Sequence, residues 1–167
     1  VLGLAVVLGV ALGVLGPRIA DAQLPERFPR RPLTEVAWRQ VGADVVAEVD
    51  GLSGAGVSVC LVDTGVDGAH PAIGSIALAY DALGEPSGHP LEEGLGGRVS
   101  DRSTDPHGHG TAMASIVSAM APGASLLVAR AYDATLEGFP DDAVVRAVRF
   151  CRRAAPGALV ISLSLGG

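Results

Sequence analysis

Residues 57–65 read Val57-Ser58-Val59-Cys60-Leu61-Val62-Asp63-Thr64-Gly65. Only Ser58 is polar before Asp63, and valine dominates the run. Branched and bulky apolar residues suit a pleated strand. An apolar run without alternation describes a strand buried on both faces, as inside a parallel sheet. The turn Ser53-Gly54-Ala55-Gly56 leads into it and Asp63-Thr64-Gly65 ends it.

Outward from this strand, helical and strand patterns alternate. A helical stretch at about Ala43–Val49 precedes it and ends at Gly51. Thr34 is placed to cap a short helix through Glu35, Val36 and Trp38. Ile76–Tyr80 reads as a second strand. Asp81 to Pro106 is crowded with Gly, Pro, Ser and acids and reads as loop. Met113, Ile116, Val117 and Met120 recur at helical spacing within His109–Met120, and Ala121-Pro122-Gly123 stops that helix. Ser125–Ala131 is a strand, Asp141 or Asp142 caps a helix running to Arg153, and Leu159–Leu165 is the last strand. The expected class is α/β, with a mostly parallel central sheet flanked by helices.

The 167 residues make one domain or part of one. Apolar residues are 49%, enough for a buried core and against disorder. The formal charge is −6, and all 12 basic residues are arginine. That balance and the 4% aromatic content argue against a nucleic-acid partner.

Val1–Gly16 carries no charged or polar side chain and is shorter than the ~20 residues of a spanning helix. Pro17-Arg18 breaks it and Ala20-Asp21-Ala22 fits a signal-peptidase site. Residues 1–22 therefore read as a secretory signal, predicting a secreted or periplasmic protein that touches the membrane only through this segment. It would be anchored there if the signal stayed uncleaved. The signal lacks an initial Met and an early basic residue, and Gly166-Gly167 follows an apolar run directly, so a fragment is expected. Residues 23–42 read as linker and N-terminal extension, with a Pro- and Arg-rich start. Cys60 and Cys151, in a strand and a helix 91 positions apart, give no geometric sign of a bridge. The expectation is two free, buried thiols.

Asp63 stands just past the carboxyl end of the apolar strand, the edge where open α/β sheets bind ligands. Taken alone it fits equally well an aspartate capping the Thr64-Gly65 turn. His109 lies between Gly108 and Gly110 where a helix begins. The positive end of a helix dipole favours a neutral imidazole, and a general base must be neutral before it takes a proton. Asp63 would then orient the ring and stabilise the imidazolium. His107 and His109 in a Gly-rich loop invite a metal, but no ligand of HExxH type and no Cys or Glu at ligand spacing accompanies them. No metal is therefore assigned. His70 reads as a turn or packing residue and His89 as exposed loop.

Three segments together resemble the subtilisin-like serine proteases, the subtilases. Residues 54–73, GAGVSVCLVDTGVDGAHPAI, look like the family's aspartate motif. Residues 107–117, HGHGTAMASIV, resemble its histidine motif, and 121–133 look like the strand segment that comes after it. Residues 160–167, VISLSLGG, resemble the stretch lining the substrate cleft. The resemblance covers about 43–167, read as a partial catalytic domain. It implies catalytic roles for Asp63 and His109; His107 is excluded because Gly-Thr follows His109. It also implies that Ser164, Leu165 and Gly166 pair with substrate backbone by strand addition.

The departures are specific. The family's nucleophilic serine lies in a Gly-Thr-Ser-Met-Ala segment, absent from these residues; Gly110-Thr111-Ala112-Met113-Ala114 has alanine at that place and belongs to the histidine motif. The oxyanion-hole asparagine would also lie past Gly167. Without the serine, acyl transfer cannot proceed. No cofactor is expected; calcium is an option for the complete protein that the resemblance leaves open, but Ala72 stands where the family's usual aspartate ligand would be. The stretch between Ala22 and the first helix is too short for a folded inhibitory pro-domain.

The expected function is that of a secreted serine endopeptidase with an Asp-His-Ser triad, a monomer when complete, acting on peptide or protein substrates. A non-catalytic peptide-binding fragment or pseudoenzyme is the alternative. Leu61 to Asp67 also resembles the aspartic-protease signature, but those enzymes are all-β and pair two such aspartates. Half a sheet would expose an open edge, so residues 23–167 are not expected to fold stably alone.

Overall fold

A computed structural model of the protein describes residues 37, 39–49, 51–100 and 103–165. The signal segment, most of the N-terminal extension with the Thr34-capped helix, and Gly166 lie outside the described residues. The elements run α1 (Ala43–Val49), β1 (Val57–Asp63), β2 (Ile76–Asp81), a 3-10 turn (Pro90–Glu92), β3 (Arg98–Ser100), α2 (His109–Met120), β4 (Ser125–Arg130), α3 (Asp141–Ala154) and β5 (Ala158–Leu163). The fold is the α/β class expected.

The strands form one sheet in the order β3-β2-β4-β1-β5. β1 pairs in parallel with both β4 and β5, and β2 is parallel to β4. The exception is β3, antiparallel to β2 at the far edge. β1 is thus an interior strand, and its alternating side chains sort into two cores. Cys60 and Val62 join Leu127, Ala129 and Tyr80 under α3. Leu61 joins Leu126, Val128 and Ala79 under α2. This explains the unbroken apolar run: each face of the strand has its own helix to bury against.

α3 presents Ala143, Ala147, Phe150 and Cys151 to the sheet, a stripe at i, i+4, i+7 and i+8. Phe150 stacks on Tyr80 with ring centroids 4.6 Å apart. Burying a ring of this size contributes roughly 2–3 kcal/mol. Asp141 and Asp142 sit in the first turn of α3 and Arg152 and Arg153 in its last, each complementing the helix dipole.

The free-thiol expectation is wrong. Cys60 and Cys151 form a disulfide, with Cα atoms 5.8 Å apart. Cys60 points to the α3 face of β1 and Cys151 lies on the buried stripe of α3, so both sulfurs enter one core. Sequence separation carried no trace of that shared face.

The stretch from Asp81 to Pro106 is also not all loop. It contains the 3-10 turn and β3, organised by Glu92, which is almost fully buried. Its carboxylate accepts hydrogen bonds from the backbone N–H groups of Ser87 (2.7 Å), Gly88 (2.8 Å), His89 (3.1 Å) and Val99 (2.5 Å), and from the Ser87 hydroxyl (2.8 Å). His89 is exposed, as expected, and its ring caps the turn by accepting from Leu91 N. Burial alone would raise the Glu92 pKa, but these donors outweigh it and lower it from 4.5 to about 2. The folded state therefore favours the charged form. The stabilisation is complete above pH ~4.5 and fades as the pH falls toward ~2. Glu92→Gln is expected to flatten the acid side of a plot of melting temperature against pH; parallel wild-type and variant curves would contradict this.

Candidate active site

Asp63 ends β1 on the α2 side of the sheet and is 1% exposed. α2 begins at His109, after Gly108 in a left-handed conformation (φ 89°). The two motifs meet there. His109 Nδ1 lies 2.8 Å from Asp63 Oδ1, which also accepts from Thr64 N at 2.7 Å. An ionised carboxylate only accepts, so the shared proton belongs on Nδ1 and Nε2 keeps its lone pair. Among the described residues Asp63 Oδ2 has no hydrogen-bond partner, and it is buried. A carboxylate so poorly compensated gains strongly when the ring beside it becomes positive.

Glycine permits this approach. A Cβ on Gly110 would lie 2.0 Å from the carbonyl oxygen of Gly65 and 3.0 Å from Asp63 Oδ1. A Cβ on Gly65, whose φ is +110°, would lie 2.0 Å from the Thr104 carbonyl oxygen. Gly110→Ala must therefore push α2 away from β1. The expected result is a stability loss of about 1–3 kcal/mol. An unchanged urea midpoint for Gly110→Ala would contradict it.

Asp105, not singled out in the sequence, occupies the centre of the loop before α2. It accepts from Thr64 Oγ1 (2.8 Å), Gly108 N (2.8 Å), Thr111 N (2.8 Å), Thr111 Oγ1 (2.6 Å) and His107 N (3.2 Å). Burial pushes its carboxyl up, but the bonds from Thr111, Gly108 and Thr64 prevail and hold it below the usual 3.8. Asp-Pro before a Gly-rich stretch is a turn signal that pointed to this place.

His109 is 38% exposed and opens on a groove of about 670 Å³. The groove is walled by Thr64, Tyr132, Phe139, Ser164 and Leu165, among others. Ser164 and Leu165 thus share one cleft with His109, just past the end of β5. β5 pairs only with β1, so among the described residues its outer edge is open. His107 stands at the rim, edge-on to Tyr132 at 5.3 Å and 6.3 Å from the His109 ring. His70 is exposed and accepts from Ala72 N, a turn residue as expected. Among the described residues no three His, Cys, Asp or Glu side chains gather as a metal site.

A buried aspartate at a strand end, holding a histidine at a helix start beside a groove, defines an acid–base pair on a parallel α/β sheet. The model of the subtilase family matches residues 54–167. The chain is 30% identical over 144 residues to a subtilisin-like protease of Coccidioides posadasii (strain C735), covering 81% of this chain and 32% of that protein. It is 32% identical over 126 residues to the subtilisin-like protease PopC of Myxococcus xanthus (strain DK1622), covering 72% of this chain and 25% of that one. The chain belongs to the subtilase family, a family of serine proteases. It spans about a third and a quarter of the lengths of these two relatives.

Proposed function

We propose that the complete protein is a secreted or periplasmic serine endopeptidase in which Asp63 and His109 supply two of the three catalytic groups. The observation that carries this is the 2.8 Å contact from a buried aspartate to Nδ1 of a groove-facing histidine. His109 Nε2 removes the proton of a serine hydroxyl as it attacks the substrate carbonyl carbon. The same proton then passes to the leaving amine. Asp63 holds the tautomer and offsets the imidazolium charge. A water attacks the acyl-enzyme in the second half-reaction, again with His109 as base. The serine is contributed by residues beyond Gly167, as is the asparagine of the oxyanion hole.

Substrate lies along the groove, its backbone pairing with Ser164 and Leu165 just past β5 and with Gly166 next in sequence. The Cys60–Cys151 disulfide supports export, because such bonds persist in oxidising compartments. Residues 1–22 would be the signal that directs it. The aspartic-protease alternative lacks support: the sheet is mostly parallel and helix-flanked, and the partner of Asp63 is a histidine. No cofactor is needed for this chemistry, and the complete protein would act as a monomer.

The test is to read the frame downstream of Gly167 and assay its product on an unstructured protein such as casein. The expected result is a Gly-Thr-Ser-Met-Ala-like segment, an asparagine between it and Gly167, and hydrolysis. An in-frame stop just after Gly167, with no hydrolysis, would leave a peptide-binding fragment instead.

A further inference from the structure

The loop after Asp63 and the first turn of α2 are joined by two reciprocal hydrogen bonds. Thr64 Oγ1, next to Asp63, accepts from Gly110 N of α2 at 2.9 Å. Thr111 Oγ1 of α2 accepts from Asp67 N of the loop at 2.9 Å. Each motif thus lends a hydroxyl oxygen to a backbone N–H of the other. Committing a hydroxyl's proton in one direction fixes where its lone pairs point. Both protons are committed to the same group: Thr64 Oγ1 donates to Asp105 Oδ1 and Thr111 Oγ1 to Asp105 Oδ2.

We propose that Asp105 is a positioning residue whose carboxylate, by orienting the Thr64 and Thr111 hydroxyls, sets the Asp63–His109 contact; this rests on the serine-protease reading of that pair. The side chain must be a carboxylate. Donors approach both oxygens, with Thr64 Oγ1, Gly108 N and His107 N at Oδ1 and Thr111 N and Oγ1 at Oδ2. An amide NH₂ placed on either side would face those donors instead of accepting from them. Asparagine is nearly the same shape, yet it fails at whichever oxygen it replaces. The threonine hydroxyl on that side then reorients, one of the two cross-motif bonds is lost, and a backbone N–H loses its acceptor. Gly110 N, one of those two donors, belongs to the residue next to His109, so the ring moves with it.

The test uses the protein expressed from its complete reading frame, with Asp105→Asn, Thr111→Val and Thr111→Ser. One readout needs no catalysis. The Nδ1–H proton of an imidazole held by a carboxylate gives a far-downfield NMR resonance, assigned by its loss in His109→Ala. The second is kcat and KM on a peptide substrate, and the third is the melting temperature. Asp105→Asn and Thr111→Val are expected to lose the downfield resonance and about 10²-fold in kcat, with KM changing less than about twofold. Thr111→Ser, which keeps the hydroxyl, should retain both. A folded Asp105→Asn protein with the resonance and wild-type kcat would overturn the proposal. So would equal damage from Thr111→Ser and Thr111→Val, which would assign the effect to the methyl group. If Asp105→Asn does not fold, the two Thr111 variants decide. If the wild type hydrolyses nothing, the protease reading fails, and the resonance across the variants still decides the positioning role.

Discussion

Replacing His109 by alanine in the complete protein is expected to lower kcat by about 10⁶-fold, a magnitude taken from subtilisin itself, where loss of the triad histidine costs about that much. The physical reason is local. His109 is the group in the groove with a free nitrogen lone pair backed by a buried carboxylate, bonded at Asp63 Oδ1. Asp63→Asn should cost about 10⁴-fold. The amide would donate to Nδ1, move the ring proton to Nε2 and leave no base facing the groove. His109→Ala should leave the urea midpoint near that of wild type, because the ring is partly exposed and its loss empties no core. Steady-state turnover on casein or a peptide checks the order of effects. An Asp63→Asn protein more impaired than His109→Ala would contradict the assigned roles.

Removing the disulfide is expected to produce the largest change in stability. The bond ties β1 to α3 across a sequence separation of 91 residues, and closing a loop that long restricts the unfolded state severely. Chain-entropy reasoning gives about 4–5 kcal/mol, and native bridges removed from secreted domains typically cost about 2–5 kcal/mol. That is a large share of the roughly 5–15 kcal/mol by which folded proteins are stable. The double variant Cys60→Ala/Cys151→Ala should therefore shift the urea unfolding midpoint markedly downward, and treating the wild type with dithiothreitol should do the same. Cys60 lies three residues before Asp63 on the same strand, so loosening here reaches the site. An unchanged midpoint after verified reduction would contradict this.

The residues that build the site were legible because their chemistry coincides with punctuation in the sequence. The run from Val57 to Val62 reads as an interior strand, and the residues just past such a strand sit at the ligand-binding edge of the sheet. The helical spacing from Met113 to Met120 placed a helix directly after the Gly-rich turn around His109, and α2 runs from His109 to Met120. The hidden features depend on faces and long-range partners. Cys60 and Cys151 meet because an odd–even choice along β1 and a helical phase along α3 point into one core. Glu92 looked like one acid among many in a polar stretch, and only the folded loop brings Ser87 and Val99 to it. Asp105 fell within a stretch that reads only as loop, and its bonds to Thr64 and Thr111 span 41 and 6 residues. A local pattern predicts the second and says nothing of the first.

The central claim is that Asp63 and His109 activate a serine supplied further along the polypeptide. The most direct test treats the complete protein with a serine-directed phosphonate and maps the adduct by peptide mass spectrometry. The predicted result is one modified serine, beyond Gly167, in wild-type protein and none in His109→Ala. No adduct in the folded wild type, or an adduct that persists undiminished in His109→Ala, would contradict the claim.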